Sequence, residues 1–553
     1  MFKRRIWLLT AFVVCIAAAV AVAVLVAGSS SSAAATAGTD PGAPTTNFDA
    51  NMQPPSVYPV CFVSGSPYQM GYQYGQEAKA EIVHNVCVAR ANALAQFGTW
   101  PAVVAAAQSD TSYVAAETPE VLQTWHGIAD GAGISYDEVR VLNVTLRAAS
   151  CSTMFAWGAA TKGGSLIGGA NADTPWLCGN MYGCVLIAYP DDGNAYIDTP
   201  LAAGCMSGGR GMNAKGLIIL GSGGQMSRPQ DRGPGYPTAP NGCVAPGYVI
   251  EHADTAAQAE SMLLGMHLGG ATNFDIADPS GNALVIEQTA AGCAVRKPGD
   301  FGEKDYILAT NFYETAKMRP ANDPNQLQDG DLDDWYRYGS EEQLIKTDWG
   351  NLTPGSLMAI LGCHNYYGAR DPVTGAVDTT QPQTWHYDML NTQPATDEQS
   401  IWTPGMRGIS WSPSQRTIYE PAAKTEYIMT GNDDPLFAWT ANASGEFFKL
   451  VLADNPGDVT AQALSDAQLQ TWYGAVALHR TSNPSKARLA ELNMAKADIA
   501  KGMNLQVQAG IATDPNWAQA LLGQATSCFC EAQCYAEQAQ GLVSNSGTLP
   551  PSS

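Results

Sequence analysis

A cysteine at the leading end of a predicted hairpin is the side chain of this sequence best suited to nucleophilic chemistry. Residues 151–173 read CSTMFAWGAATKGGSLIGGANAD. Residues 153–156 and 165–173 have strand-like patterns, and the Lys-Gly-Gly at 162–164 is typical of a turn. A cysteine thiolate is a strong nucleophile, but a buried cysteine also packs as a small apolar residue. The hairpin by itself fits either role for Cys151.

The residues around Cys151 resemble the start of the mature catalytic chain in the N-terminal nucleophile (Ntn) hydrolases. The small residue Ser150 precedes the cysteine, a Ser-Thr pair follows it, and Asn171 and Asp173 lie on the second predicted strand. This arrangement is similar to that of the acyl-coenzyme A:6-aminopenicillanic acid acyltransferase family and its relatives, the acid ceramidases and bile-salt hydrolases. Many of these relatives carry an arginine where this chain has Ala170. A guanidinium near the nucleophile is therefore either absent here or supplied from elsewhere.

The resemblance implies that the chain cuts itself between Ser150 and Cys151. The thiol would attack the Ser150 carbonyl and convert the amide to a thioester, which water then hydrolyses to leave Cys151 as a new N-terminus. A free α-amino group has a pKa of about 7.7–8.0, so it can accept the thiol proton without help from a histidine. By the same resemblance, Asp173 holds this amine in place.

A second polar element follows another predicted strand. Thr310 and Asn311 come directly after residues 306–309. In the resembling family, the asparagine of a similar element donates to the oxyanion, and the loss of such a donor typically lowers the rate about a hundredfold or more. The resemblance implies this role for Asn311, with Asn171 as a weaker candidate. An asparagine that ends a strand also often only closes a turn.

The rest of the sequence predicts the elements that would hold this site. Residues 67–75, PYQMGYQYG, begin a helix whose glycines allow close packing, and residues 211–217 and 274–287 resemble strand segments of the same family. The resemblance implies an α+β fold, a four-layer αββα Ntn-hydrolase sandwich with an N-terminal helical segment and a C-terminal helical extension. Further strand patterns occur at 185–189, 195–198, 216–220, 282–288, 305–309 and 424–430, and helical patterns at 459–475, 486–503 and 515–540.

The N-terminus has the features of an export signal. Basic residues at 3–5 precede an uncharged apolar run at 6–27, and Ala-Thr-Ala at 35–37 supplies a cleavage site. The run is also long enough to span a bilayer, so a retained membrane anchor is the alternative. We expect a secreted or extracytoplasmic protein that contacts a membrane only through this segment, if the segment is not removed.

These patterns predict five parts of the chain. The Ser/Ala/Thr/Gly/Pro-rich stretch after the signal is typical of a flexible linker. The parts are a signal peptide or anchor at 1–37, the linker at 38–55, a pro-segment or α-chain at 56–150, the catalytic core or β-chain at 151–434, and the helical extension at 435–553.

Thirteen cysteines in an exported chain favour disulfide bonds. Cys178 and Cys184 are close enough in sequence for a local bridge. Cys528, Cys530 and Cys534 have neither the fourth ligand nor the spacing of a structural zinc site, so disulfide pairing is the preferred interpretation there. The sequence gives no sign of a metal or other cofactor.

Composition and charge exclude some classes of binding partner. The chain has 29 basic and 51 acidic residues and a net charge of −22, which argues against binding to nucleic acid or anionic membranes. The predicted substrate is a small acylated amide, cleaved through an acyl-thioester, with acyl transfer possible if an amine competes with water. Two alternatives stay open. One is a non-catalytic surface or secreted binding protein that retains the scaffold, and the other is a conventional cysteine hydrolase that uses His364.

Overall fold

The computed structural model of the chain is a mixed α+β protein with two large β-sheets. Apart from one strand of the larger sheet at residues 60–65, the strands of both sheets come from residue 150 onward. The structure describes residues 59–108, 111–145, 150–175, 181–207, 209–223, 231, 244–322, 333–362, 369–370, 377–378, 411–429, 447–452, 456–481 and 484–540.

Helices dominate the chain before Cys151, between some of the central strands and at the C-terminal end. Their bounds are α1 Pro67–Glu77, α2 Lys79–Phe97, α3 Trp100–Ala107, α4 Thr111–Glu117, α5 Pro119–Ala132, α6 Tyr136–Thr145, α7 Ala245–His252, α8 Ala256–Gly265, α9 Asp333–Thr347, α10 Pro354–Leu361, α11 Pro456–Arg480, α12 Lys486–Ile511 and α13 Pro515–Gln540.

The strands form an eight-stranded sheet in the order β1-β4-β5-β6-β7-β8-β9-β10, a six-stranded sheet in the order β11-β2-β3-β14-β15-β16, and a small pair, β12-β13. Their bounds are β1 Val60–Gly65, β2 Ser150–Ala156, β3 Ile167–Pro175, β4 Val185–Pro190, β5 Tyr196–Asp198, β6 Arg210–Asn213, β7 Ile218–Gly223, β8 Ala271–Ala277, β9 Ala283–Thr289, β10 Gly292–Arg296, β11 Tyr306–Ala309, β12 Ala369–Arg370, β13 Val377–Asp378, β14 Trp411–Glu420, β15 Thr425–Met429 and β16 Phe447–Val451.

The predicted hairpin is confirmed as β2 and β3. The two strands pair antiparallel, with Cys151 opposite Ala172 and Ser150 opposite Asp173. The sequence patterns also predicted β4, β5, β7, β9, β11 and β15 to within a few residues. The segment 211–217, which resembles a family strand, overlaps β6, a strand of only four residues, RGMN. Arg210, the first residue of this strand, contacts Cys151.

Apolar side chains of the two large sheets share one buried cluster. Phe155 and Ile307 of the six-stranded sheet lie in it together with Met212, Ile218 and Val285 of the eight-stranded sheet. A second cluster joins the eight-stranded sheet to helices between α1 and α8, and a third joins the six-stranded sheet to α9 and α10. Cys151 is thus on a strand with buried apolar packing near both of its faces.

The glycines of the first helix serve close helix packing, as the sequence predicted. Helix α1 begins after Ser66, whose side chain and that of Gln69 form a reciprocal capping box. A Cβ at Gly71 would lie 2.2 Å from the Thr124 carbonyl oxygen, and one at Gly127 would lie 2.2 Å from the Tyr68 carbonyl oxygen. Only glycine allows α1 and α5 to approach this closely.

The C-terminal region adds a strand and then covers a sheet edge. The sequence predicted helices from 435 onward, but β16 first pairs with β15 and extends the six-stranded sheet. Helix α13 then packs along β1, where Ser527 Oγ accepts from the Phe62 amide and Glu531 Oε1 from the Val60 amide, each at 3.1 Å. An edge strand exposes unpaired N–H groups, which explains why this edge attracts polar helix side chains. The predicted boundaries between the five parts remain predictions.

The predicted disulfides are not present among the described residues. Cys184 carries a free thiol that lies 3.1 Å from the Tyr74 hydroxyl, and its predicted partner Cys178 is outside the described residues. Cys528, Cys530 and Cys534 are also free thiols. All three are on α13, and even Cys530 and Cys534, which are four residues apart, have Cβ atoms about 5–6 Å apart in a regular helix, which is beyond disulfide range.

Within the described part of the chain, every helix is too short or too polar to cross a membrane. The predicted export signal or anchor at 1–37 and the linker at 38–55 are outside the described residues.

Candidate active site

Cys151 lies on an interior strand of the six-stranded sheet. Strand β2 has β11 on one side and β3 on the other. The cysteine side chain is 0% exposed, so solvent does not reach the sulfur in the intact chain. The reactivity of Cys151 therefore depends on the groups that contact its sulfur, its backbone N–H and its carbonyl oxygen.

Arg210 contacts the sulfur from the other sheet. It is the first residue of β6, it is 1% exposed, and its Nη2 lies 2.8 Å from Cys151 Sγ. The same Nη2 donates to the carbonyl oxygens of Gly221 at 3.1 Å and Asn171 at 3.2 Å, which fix the guanidinium in place. A guanidinium at this distance stabilises negative charge that develops on the sulfur when it attacks. In this chain Arg210 places a positive charge beside the sulfur. Residue 170, an alanine, cannot provide one.

Asn311 contacts the backbone nitrogen of the cysteine. The Cys151 amide donates to Asn311 Oδ1 at 2.8 Å, and Asn311 Nδ2 donates to the Gly223 carbonyl oxygen at 2.5 Å. Since the oxygen end faces N–H donors and the nitrogen end faces a carbonyl, these partners fix the orientation of the amide. The structure brings Asn311 to Cys151 with its carbonyl end, rather than the amide donor of the predicted oxyanion role, toward the nucleophile.

Arg337, near the start of α9, holds the other side of this arrangement. Its Nη1 donates to the Cys151 carbonyl oxygen and, at 3.1 Å, to Ser152 Oγ, while its Nη2 donates to Asn311 Oδ1 at 2.9 Å. It also forms a buried ion pair with Asp334, one helical turn earlier. Arg337 thus fixes the backbone at the nucleophile and the amide that contacts it.

The two remaining predicted residues are placed differently. Asn171 is opposite Ser152 in β3, while Ala172 is opposite Cys151, so side-chain alternation puts Asn171 on the other face. Its side chain donates to Leu361 O at 2.9 Å and accepts from Arg416 Nε at 3.0 Å. The structure does not bring this side chain to the sulfur. Asp173 lies on β3 opposite Ser150, and its side chain is outside the described residues.

A buried acid lies under the same strand. Thr153 Oγ1 is 2.9 Å from Asp275 Oδ2 and 3.0 Å from the Ala309 carbonyl oxygen, yet a hydroxyl has only one hydrogen to donate. Burial raises the pKa of Asp275 to about 7, although the Thr153 hydrogen bond, Arg296 and Arg210 act in the opposite direction. A protonated Asp275 would donate to Thr153, which could then donate to Ala309, so one proton satisfies both contacts.

Sequence reasoning missed Arg210, Arg337 and Asp275. A signal existed for Arg210, because it immediately precedes the segment 211–217 that resembles a family strand, and a charge at the start of a buried strand is costly without a purpose. Arg337 gave no comparable signal. His364, the residue of the conventional cysteine-hydrolase alternative, is outside the described residues.

Comparisons with known proteins give only distant likenesses. No family model matches the chain, and no curated protein matches it. Among solved structures, a mutant of conjugated bile acid hydrolase from Clostridium perfringens is 12% identical with a TM-score of 0.26, covering 50% of this chain and 88% of that one. Penicillin V acylase from Agrobacterium tumefaciens is 12% identical with a TM-score of 0.27, covering 56% and 86%.

A second variant of the Clostridium perfringens bile acid hydrolase is 13% identical to this chain. Its TM-score is 0.30, and the match covers 55% of this chain and 99% of that one. At these TM-scores the superpositions are too loose to carry over the role of any residue.

Proposed function

We propose that this protein is a self-processing cysteine amidohydrolase of the Ntn type. One observation carries the proposal: Cys151 Sγ contacts a buried guanidinium, while the Cys151 backbone nitrogen, which would become the catalytic amine, contacts Asn311. Both contacts are directed at the two atoms that such an enzyme must activate. Ser150 directly precedes this residue, as the resemblance requires.

The first reaction is cleavage of the chain. The sulfur of Cys151 attacks the carbonyl carbon of Ser150, the bond to the Cys151 nitrogen breaks, and the thiol proton passes to that nitrogen. Water then hydrolyses the thioester, which releases the Ser150 carboxylate and restores the thiol. Arg210 would stabilise the negative charge that develops on the sulfur during this attack. Full burial of the sulfur is compatible with this step because its substrate is the adjoining peptide bond.

The second reaction is cleavage of a small acylated amide. The Cys151 amine accepts the thiol proton, the sulfur takes the acyl group, and the proton leaves with the departing amine. Asn311 Oδ1 would hold the catalytic amine, and Asp173 keeps its predicted orienting role. For the predicted oxyanion role, Asn311 Nδ2 must exchange the Gly223 carbonyl for the oxyanion. Water then hydrolyses the acyl-thioester, or an amine takes the acyl group in a transfer reaction.

The packing of the sheets supports the proposed four-layer αββα arrangement. One apolar cluster lies between the two sheets, and each sheet also shares a cluster with helices. Such a sandwich would hold Arg210 and Cys151, which come from different sheets, within contact distance. We also propose export by the N-terminal segment, which would place the protein where small amides, rather than acyl-coenzyme A, are the available substrates.

The test is maturation of the full-length protein. Denaturing electrophoresis, intact mass and N-terminal sequencing should show two fragments, one of which begins at Cys151. The variant Cys151→Ala should stay intact, whereas Cys293→Ala, which changes a half-buried cysteine of β10, should be cleaved like the wild type. Amine release from a panel of N-acyl amides should require the cleaved form.

The burial of Cys151 also favours a second candidate, a binding protein that retained the scaffold without catalysis. A folded wild-type chain that remains intact and releases no amine would support this alternative and contradict the proposal. An intact chain that is active would point instead to conventional cysteine chemistry.

A further inference from the structure

Three potential metal ligands converge away from the strands of the candidate active site. Glu120 is in the first turn of α5, and Glu251 and His252 end α7. One ligand atom from each residue lies within 4.8 Å of the other two, and His252 Nε2 is 2.8 Å from Glu120 Oε2. Among the described residues, this is the only group of three or more such side chains that meets that distance condition.

The ion pair between Glu120 and His252 leaves the third residue of the group, Glu251, without a partner in the described part of the chain. The residue is 7% exposed, and its carboxyl directs an oxygen toward Glu120 and His252. Neither a hydrogen bond nor an ion pair joins this carboxyl to any of the described residues. A buried carboxyl without a partner is costly, and a bound cation is one way to remove the cost.

The geometry points to a binding site for a divalent first-row transition metal, with zinc as the best match, formed by Glu120, Glu251 and His252. An imidazole nitrogen and two carboxylate oxygens suit zinc, whereas calcium and magnesium prefer oxygen ligands alone. Tetrahedral zinc with bonds of about 2.0–2.1 Å needs ligand atoms roughly 3.3 Å apart, so small side-chain rotations would close the site. A fourth position would remain for water.

The position of this site gives it a purpose in the proposed enzyme. Glu120 precedes the proposed cleavage point and the other two ligands follow it, so a bound metal would join the two fragments after cleavage. This part of the inference rests on the proposed function. Hydrogen bonds connect the backbone around Glu251 and His252 to strand β6. Asn213, the last residue of β6, donates to the Ile250 and Ala253 carbonyl oxygens at 2.8 Å each. Arg210 is the first residue of that strand.

The chain contains a matched control for this site. His267 and Glu117 form a second histidine-glutamate pair, and Tyr113 lies 4.5 Å from the His267 ring just as Tyr248 lies 4.5 Å from the His252 ring. The pair does not belong to a three-residue group in the described part of the chain. His267→Asn therefore removes a similar imidazole without touching the proposed site.

The experiment is zinc titration of the full-length, untagged chain by calorimetry after removal of metals with a chelator. The wild type and His267→Asn should bind one equivalent more tightly, by at least about tenfold, than Glu251→Gln and His252→Asn. Zinc should raise the melting temperature of the first two proteins by more than that of the last two. Equal affinity and equal thermal shifts in all four would overturn the proposal and would assign the binding to cysteine thiols.

Two further variants keep the outcome clear. Glu120→Gln changes a carboxyl that is 35% exposed, so it tests the site if Glu251→Gln does not fold. Cys151→Ala should bind zinc like the wild type, because the ligands do not depend on cleavage. If Cys151→Ala binds zinc and the wild type is never cleaved, the proposed function fails while the metal site stands. In the cleaved protein, chelation should promote separation of the fragments in the wild type, and unchanged association would contradict the joining role.

Discussion

Two buried arginines contact Cys151 from opposite sides and differ in what they touch. Arg210 comes from the eight-stranded sheet and lies against the sulfur, the atom that reacts. Arg337 comes from α9 and contacts the Cys151 carbonyl oxygen and Asn311, which form the frame around that atom. Arg337 also forms an ion pair with Asp334, which shares its charge. The comparison separates a residue that activates the nucleophile from one that positions it.

The largest expected effect is on stability and comes from Arg337. Arg337→Met would leave Asp334 as a buried carboxylate without its ion-pair partner, and breaking a buried pair in this way costs about 3–5 kcal/mol. The free energy of unfolding, measured with urea, should fall by this amount. Lys297→Met breaks the 3.7 Å contact to Glu260 through a lysine that is 61% exposed and should cost less than about 1 kcal/mol. Similar losses in both variants would show that Arg337 does not hold the frame.

The next effect is on rate and comes from Arg210. Arg210→Met removes the cation at the sulfur and should slow both self-cleavage and amide turnover by about a hundredfold or more. Arg210→Lys keeps a charge but loses the planar group held by two carbonyls, so it should fall between the methionine variant and the wild type. Rates per folded molecule separate this effect from stability. A wild-type cleavage rate in Arg210→Met would remove the distinction between the two arginines.

The difference between these arginines also shows what the sequence could predict. The hairpin follows from local strand patterns, whereas the prediction of Cys151 and Asn311 as site residues comes from the resemblance of the short motifs around them to a known family. Arg210 and Arg337 are 59 and 186 residues away from Cys151 and reach it through sheet and helix packing, which no local pattern encodes. The placement of Asn171 away from the sulfur also depends on packing that the sequence does not show. The sequence predicted its strand, but only the register shows that Ala172, one position later, shares the face of Cys151.

Asn311 offers a sharper test because two substitutions divide its two possible roles. Asn311→Asp keeps oxygens that can accept from Cys151 and Arg337 but loses the Nδ2 donor, whereas Asn311→Ala loses both. If Asn311 holds the nitrogen of Cys151, self-cleavage should slow about tenfold in the alanine variant and much less in the aspartate variant. Equal slowing in both would assign its importance to the donor, as the resemblance implied. The measurement is the cleavage rate of freshly refolded chain.

The last expected effect is a change in pH dependence at Asp275, beneath the strand of the nucleophile. Its pKa is raised from 3.8 to about 7, so between these values the folded chain holds a proton that the unfolded chain has released. The free energy of unfolding should therefore fall as pH rises from about 4 to about 7, by at most about 1.4 kcal/mol per pH unit from this group. Asp275→Asn imitates the protonated acid, because its amide can donate to Thr153. It should remove this contribution while the folded structure is retained.

The comparison of wild type and Asp275→Asn by urea unfolding at about pH 5 and about pH 7 isolates this group, because other buried acids such as Glu77 and Glu531 are present in both proteins. The variant should lose less stability over this interval than the wild type. Equal losses would mean that Asp275 is ionised in the folded chain throughout, and Thr153 would then donate to Asp275 rather than to Ala309. That result would place a negative charge beneath the nucleophile strand, so that Arg210 would have to balance that charge as well as the charge that develops on the sulfur during attack.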